Sequence, residues 1–389
     1  AILHPACCDC APVGVNPLTV HTLEIDLGGA SVFLPFPHER RVCHEISINA
    51  CMRHCVHSSR TESDSDEFLT DTPNSFLDGV IIRNNVAATD GGGYENEGPC
   101  VVEMRNITLT GNTAGKGGGA YFKGGKFRIS NLVIHNNSAH QTGGGVTSDT
   151  GVDVEMVSCT FSQNRAQALC EVHSGDQICG SGGALTVTGQ NGRTVVRLGK
   201  FHSNSAVNEG GCIFTSGASE LQISSSTLAA CTAREGDGGG LSGREDSNVV
   251  LSGSVSVRHC QALQGHGGGI AFGGLLLSIG MRTGDKAVAV LEENSAKHGG
   301  GISFMSIIEL AEGSSTSIRS NVAAHFGGGA YGFSSFGRLT VDDDHSLAIS
   351  DNTANSGAGI AVMRGAQVRV AMSACVGIGT DLSSAECSI

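Results

Sequence analysis

The stretch His135–Gly151, HNNSAHQTGGGVTSDTG, decides the fold. It sets an Asn at 137, an Ala two residues later and three glycines at 143–145. Each glycine gives up more backbone freedom on folding than any other residue, so a triplet needs a structural reason. The pattern recurs along the chain. Aligned on the Asn, the anchors are Asn85, Asn112, Asn137, Asn164, Asn204, Cys231, Cys260, Asn294, Asn321 and Asn352. Every anchor has Ala two residues on, from Ala87 to Ala354.

Apolar residues stand five and three before most anchors, as with Ile107 and Leu109 or Leu347 and Ile349. That alternation marks a strand with one buried face. The glycines open a second short strand, as in GGGIAF at 267–272 and GGGISF at 299–304. A third alternating run follows, such as Phe127 and Ile129. One such unit cannot bury its apolar face alone, but stacked units can. The reading is an all-β, right-handed parallel β-helix of about ten to twelve rungs, three short strands per rung, over residues 76–389. Ten rungs at ~4.8 Å extend about 50 Å. The glycines should stack at one corner, where a Cβ clashes or φ is positive. The eight Asn anchors should form a hydrogen-bonded ladder at another.

Phe-x-x-Asn occurs as FSQN at 161–164 and FHSN at 201–204, and GGAL stands at 182–185. These motifs resemble the passenger repeats of chlamydial polymorphic outer-membrane proteins, over roughly residues 79–375. Ile, Leu or Val often replaces the Phe here, as in LTGN at 109–112. The resemblance implies a right-handed β-helix of the pectin-lyase-like type, displayed at a surface and adhesive.

Composition bounds the partners. A net charge of −13 argues against nucleic acid and anionic membranes. No apolar run is long enough for a transmembrane helix, and AILHPACCDC at the start lacks the pattern of a signal peptide. Fifteen cysteines suit an oxidising compartment, extracellular or at the cell surface. Their odd number leaves one free or shared between chains. Cys231 and Cys260 take the Asn slot in adjacent rungs, within reach of each other, so a Cys231–Cys260 bridge is expected. Cys170 and Cys179 should close the insertion between the fourth and fifth anchors into a small loop, a place where repeat proteins carry binding surfaces.

Residues 1–75 read as a Cys-rich cap with an acidic linker. Cys43, His44, Cys51, His54, Cys55 and His57 match no zinc-finger spacing, so disulfides are preferred to a metal. Just before the glycines, four consecutive rungs place Glu209, Asp237, His266 and His298. This column reads as a solvated corner, with metal binding as its alternative. Asn106-Ile-Thr and Asn136-Asn-Ser are outward-facing N-glycosylation sequons.

Catalytic signals are thin. Gly265-His266-Gly267 is a polygalacturonase-like tripeptide inside a repeat where glycine is expected anyway. Asp342–Asp344 reads as an exposed turn three rungs away. Trp is absent and Tyr rare, so a sugar-stacking platform looks poorly supplied. The expectation is a non-enzymatic structural or adhesive protein without a cofactor or metal, a subunit of a fibre or surface assembly. Its partners would be copies of itself or other surface proteins and glycans. A polysaccharide lyase or hydrolase, or a carbohydrate-binding passenger, is the alternative.

Overall fold

The computed structural model describes residues 23–26, 75–167, 179–280 and 286–371. It is a parallel β-helix of ten rungs with no helix among the described residues. Three sheets run along it, of 21, 8 and 10 strands. In the largest, most rungs supply two segments that meet at a bend, such as Val101–Arg105 and Thr108–Thr110. The residue at that bend is left-handed, glycine in some rungs, as at Gly79 and Gly253, and Asn in others, with Asn106 and Asn131 both at φ 53°. Asn reaches this region at lower cost than other side chains do.

Strand registers are parallel from rung to rung. Ile134 lies between Leu109 and Phe161, and Phe161 stands against Phe201. The Phe of Phe-x-x-Asn therefore points inward, and the rings of Phe161 and Phe201 stack at 4.6 Å. The core is a single column of thin layers, closed by Val, Ile, Leu and Phe. The stretch after eight of the ten anchors is a short strand, and these strands form the 8-stranded sheet; Val86 and Thr353, in the first and last rungs, join it by isolated bridges.

The Asn anchors build two ladders. Asn137 accepts from the backbone N–H and side-chain amide of Asn112, while its own amide donates to Asn164 and to the carbonyl of Leu109. The first ladder joins Asn85, Asn112, Asn137, Asn164 and Asn204. The second joins Asn294, Asn321 and Asn352.

Between the ladders the disulfide expectation needs correction. Cys231 bonds to Cys212, with Cα atoms 5.4 Å apart, and Cys260 is a buried thiol. The reason is directional. The Asn slot of one rung faces the third glycine of the rung before it: a Cβ on Gly269 would lie 3.0 Å from the Asn294 amide. Cys212 occupies that third-glycine position, so it meets Cys231. The equivalent partner of Cys260 is Gly240, which has no side chain. Cys179 is disulfide-bonded, but its expected partner Cys170 lies outside the described residues.

The first 74 residues contribute one described element, Leu23–Asp26, which pairs in parallel with Val80–Arg83 ahead of the first rung. The Cys/His cluster of the cap lies outside the described residues.

Candidate functional site

Three sides of the helix follow the usual alternation of buried and solvated residues. The 10-stranded sheet that follows the glycines does not. Its inward residues, such as Ile213 and Ile270, enter the core. Its outward residues are buried too. From Tyr121 through Thr147, Thr186, Phe214, Ser242, Ala271, Ser303 and Tyr331 to Ala361, none exceeds 8% exposure. An outward side chain is buried only when something flanks it, so this sheet is the floor of a groove.

The walls are two further columns in register. One precedes the glycines: Asp90, Lys116, Thr142, Ser181, Glu209, Asp237, His266, His298, Phe326 and Ser356. The other ends the strand: Glu97, Lys123, Asp149, Thr188, Ser216, Arg244, Gly273, Met305, Phe333 and Met363. The carbonyl and amide pairing between rungs fixes both columns, so a residue type chosen in one rung has set neighbours in the next.

The character of the groove changes along its length. At rung one the carboxylates of Asp90, Glu95 and Glu97 lie within 4.8 Å of one another, and Lys123 answers Glu97 at 3.7 Å. Burial pushes the Asp90 carboxyl above its usual range, against the pull of Lys116. From rung two onward an open trough of about 610 Å³ runs between Lys116 and Met305. Thr142, Asp149, Thr188, Gln190, Phe214, Ser216 and Arg244 line it. Tyr121, buried on the same sheet, donates to Asp149 at 2.7 Å.

Rungs five and six share a charge cluster. Arg244 pairs with Glu209 and reaches Asp237 at 3.4 Å. Ser242 donates to Glu209 at 3.0 Å. Burial pushes the Glu209 carboxyl up, opposed by Arg244. Asp237 also accepts the backbone N–H of His266 at 2.7 Å. The expected column Glu209–Asp237–His266–His298 does exist, but it is a wall with Glu209 buried and the other three half-buried rather than a solvated corner, and its four side chains do not converge. The carboxylates turn to Arg244 and the imidazoles turn to aromatic rings.

Those rings form a slab over rungs seven to nine. Phe333 stacks on His266 at 4.9 Å, His266 on His298 at 4.9 Å, and His298 on Phe326 at 5.4 Å. Tyr331 lies 5.1 Å from His298 and 5.3 Å from Phe333. Sequence reading underrated this feature because aromatics are only 4% of the chain. Position rather than number matters: Tyr121, Phe214 and Tyr331 stand on the outer face of this sheet, and Phe326 and Phe333 on the two columns that flank it. The signal was available in the outward position two residues after the last glycine.

The remaining expected sites sit elsewhere. Asn106 and Asn136 are both exposed, each in the left-handed region at φ 53°. The Asn106 amide donates to Asp78 at 2.8 Å. Asp343 and Asp344 are exposed in a turn. No described helix is long and apolar enough to cross a membrane. Compared with protein-family models, curated proteins and solved structures, the chain has no match.

Proposed function

We propose that this chain is a non-enzymatic adhesive or structural β-helix of the cell surface or extracellular space, and that the groove is its binding face. The observation that carries the reading is the buried outward row from Tyr121 to Ala361. A trough of this volume, with mixed hydroxyl, amide, charged and aromatic walls, suits an extended polar ligand such as a glycan chain. Its rungs repeat every ~4.8 Å, so a ligand lying along the axis meets a new row of groups at each rung. The Cys212–Cys231 disulfide fits an oxidising compartment. The motif resemblance to the passengers of chlamydial polymorphic outer-membrane proteins supports adhesion, and the exposed sequons would carry glycans in a eukaryotic secretory setting.

Binding to immobilised glycans and matrix proteins tests this. Thr188→Trp fills the trough, while Thr227→Trp places the same bulk on another sheet. The first should weaken binding on the order of tenfold or more, one lost contact network of about 1.4 kcal/mol, and the second should not. Equal affinities for both variants, or no binding by the parent, refute the groove reading.

One observation favours a polysaccharide-acting enzyme as a second reading. Glu209 is a buried carboxyl with a raised pKa beside the carboxylate of Asp237, and unequal carboxyl pairs can divide acid and base roles. Against it, Arg244 engages both carboxylates. Release of reducing ends or unsaturated sugars from plant, algal or bacterial polysaccharides, abolished by Glu209→Gln, would establish the enzyme.

A further inference from the structure

The trough stops where Phe333 begins. Beneath that ring lies a narrow slot of about 10 Å³, lined by Asp237, Ser242, Arg244, Ala271, Ser303 and Met305 among others. Arg244, Gly273 and Met305 line both the slot and the trough, so the two spaces are one groove divided by a ring. The floor of the slot is small and hydroxylated, while its roof is aromatic. Nothing covalent holds the roof: Phe333 reaches across the floor to rest on His266, two rungs back.

We propose that the slot is a covered subsite, a continuation of the groove for the same polar chain, whose Phe333 roof is released when His266 and His298 take up protons. The geometry supplies the reason. Two imidazoles stack face to face at 4.9 Å, and their buried Nδ1 atoms have no hydrogen-bond partner. A stack of this kind is stable when both rings are neutral. Two positive charges at that separation repel each other, and no carboxylate sits between them.

The surrounding charges act unequally. Facing His266 are Asp237, whose charge favours the imidazolium, and Arg244 and Lys297, which oppose it. Around His298 stand His266, His325 and Lys297, all of which oppose it. Glu209 is occupied by Arg244, and Arg364 lies near Tyr331. Burial is the largest influence on both rings. It lowers His266 and brings His298 down to about 4.

The sign follows. A histidine held neutral in the closed stack refuses protons that it accepts once released. The closed form is therefore favoured fully above the ordinary histidine range and loses ground as pH falls from about 6.5 toward 4. Near pH 4.5 His298, at about 4 in the closed stack, shifts the open-to-closed ratio by up to roughly a hundredfold, and His266 acts in the same direction.

The subsite rests on reading the groove as a binding face, but its test uses no ligand, so either idea can fail alone. Methionine oxidation by dilute hydrogen peroxide is followed by peptide mass spectrometry at about pH 7.5 and pH 4.5. Met305 is half-buried and lines both the slot and the trough, so it reacts at pH 7.5 from the trough side and should oxidise about twofold faster or more at the lower pH, when the slot side opens as well. Met156, fully buried in the core, should stay protected, and an added methionine-containing peptide should react alike at both. In the His266→Gln, His298→Gln variant the Met305 rate should lose its pH dependence. Phe333→Ala, which keeps both imidazoles, should oxidise Met305 rapidly at either pH. An unchanged Met305 rate in the parent, a rise shared by Met156, or a pH response that survives in the Gln variant overturns the proposal.

Discussion

Two corners of the rung show how differently a repeat can tolerate change. At the Asn corner the slot accepts Cys231 and Cys260, and the rungs still stack. At the glycine corner the middle residue of the triplet is Gly in the first nine rungs, from Gly92 to Gly328. It becomes Ala358 in rung ten, beyond which no further rung is described. The difference lies in what each residue supplies. The Asn supplies hydrogen bonds, and a disulfide or a small buried thiol can stand in for them. The middle glycine supplies absence. A Cβ on Gly239 would lie 2.4 Å from the Gly268 carbonyl and 2.5 Å from the Gln261 backbone, both in the next rung. No rotamer relieves a clash between Cβ and backbone.

The hardest test of this contrast is Gly239→Ala. It should cost about 3–5 kcal/mol, because the rungs must part or slide. The reciprocal change, Ala358→Gly, should stay within about 1 kcal/mol. Denaturant titrations of both variants measure the gap, and similar costs would show that the glycine is chosen for something other than the rung that follows. Next comes Asn164→Ala. Asn164 accepts from the backbone N–H of Asn137 at 3.0 Å and donates to the Ile134 carbonyl at 2.9 Å. Orphaning these buried groups should cost roughly 3–4 kcal/mol, at about 1–3 for each. Breaking the Cys212–Cys231 bridge, which closes a separation of 19 residues, should cost about 3 kcal/mol or a little less. Reduction under native conditions, followed by the same titration, reads it directly.

Much of this architecture was legible because a β-helix repeats its constraints in sequence. Period-two apolar pairs gave the strands, and the spacing of Asn and Ala gave the corners. What escaped notice depended on neighbours in the next rung rather than in the same one. The Cys212 partner of Cys231 is an example. Reading down one column suggested Cys260, whereas the side chain actually faces the glycine column of the preceding rung. The groove escaped for a related reason. Thr147, Ser242 and Ser303 alternate with apolar residues just as solvated outward positions do, and nothing local says that flanking columns bury them. The histidines were aligned correctly, but their chemistry was set by Phe333 and Tyr331, which reach them from later rungs.

The smallest expected effect is also the sharpest probe of the correction. If the Asn slot faces the third glycine of the preceding rung, then Gly240 faces Cys260. A Cβ on Gly240 would stand 3.4 Å from the Cys260 sulfur. Gly240→Cys should therefore oxidise onto Cys260 and repeat the Cys212–Cys231 arrangement one rung later. Ala184 and Cys212 already place a Cβ in this column, so the fold accommodates one. The gain should be no more than about 1–2 kcal/mol, because the Gly269 carbonyl, 2.6 Å from the new Cβ, must yield. In the parent, burial pushes the Cys260 thiol up to about 12, so it should resist alkylation until the protein unfolds. In the variant it should resist alkylation even after unfolding, until a reductant is added. A Cys260 that alkylates in the unfolded, unreduced variant would mean that the two columns do not face each other, and the directional account of the disulfide would fall with it.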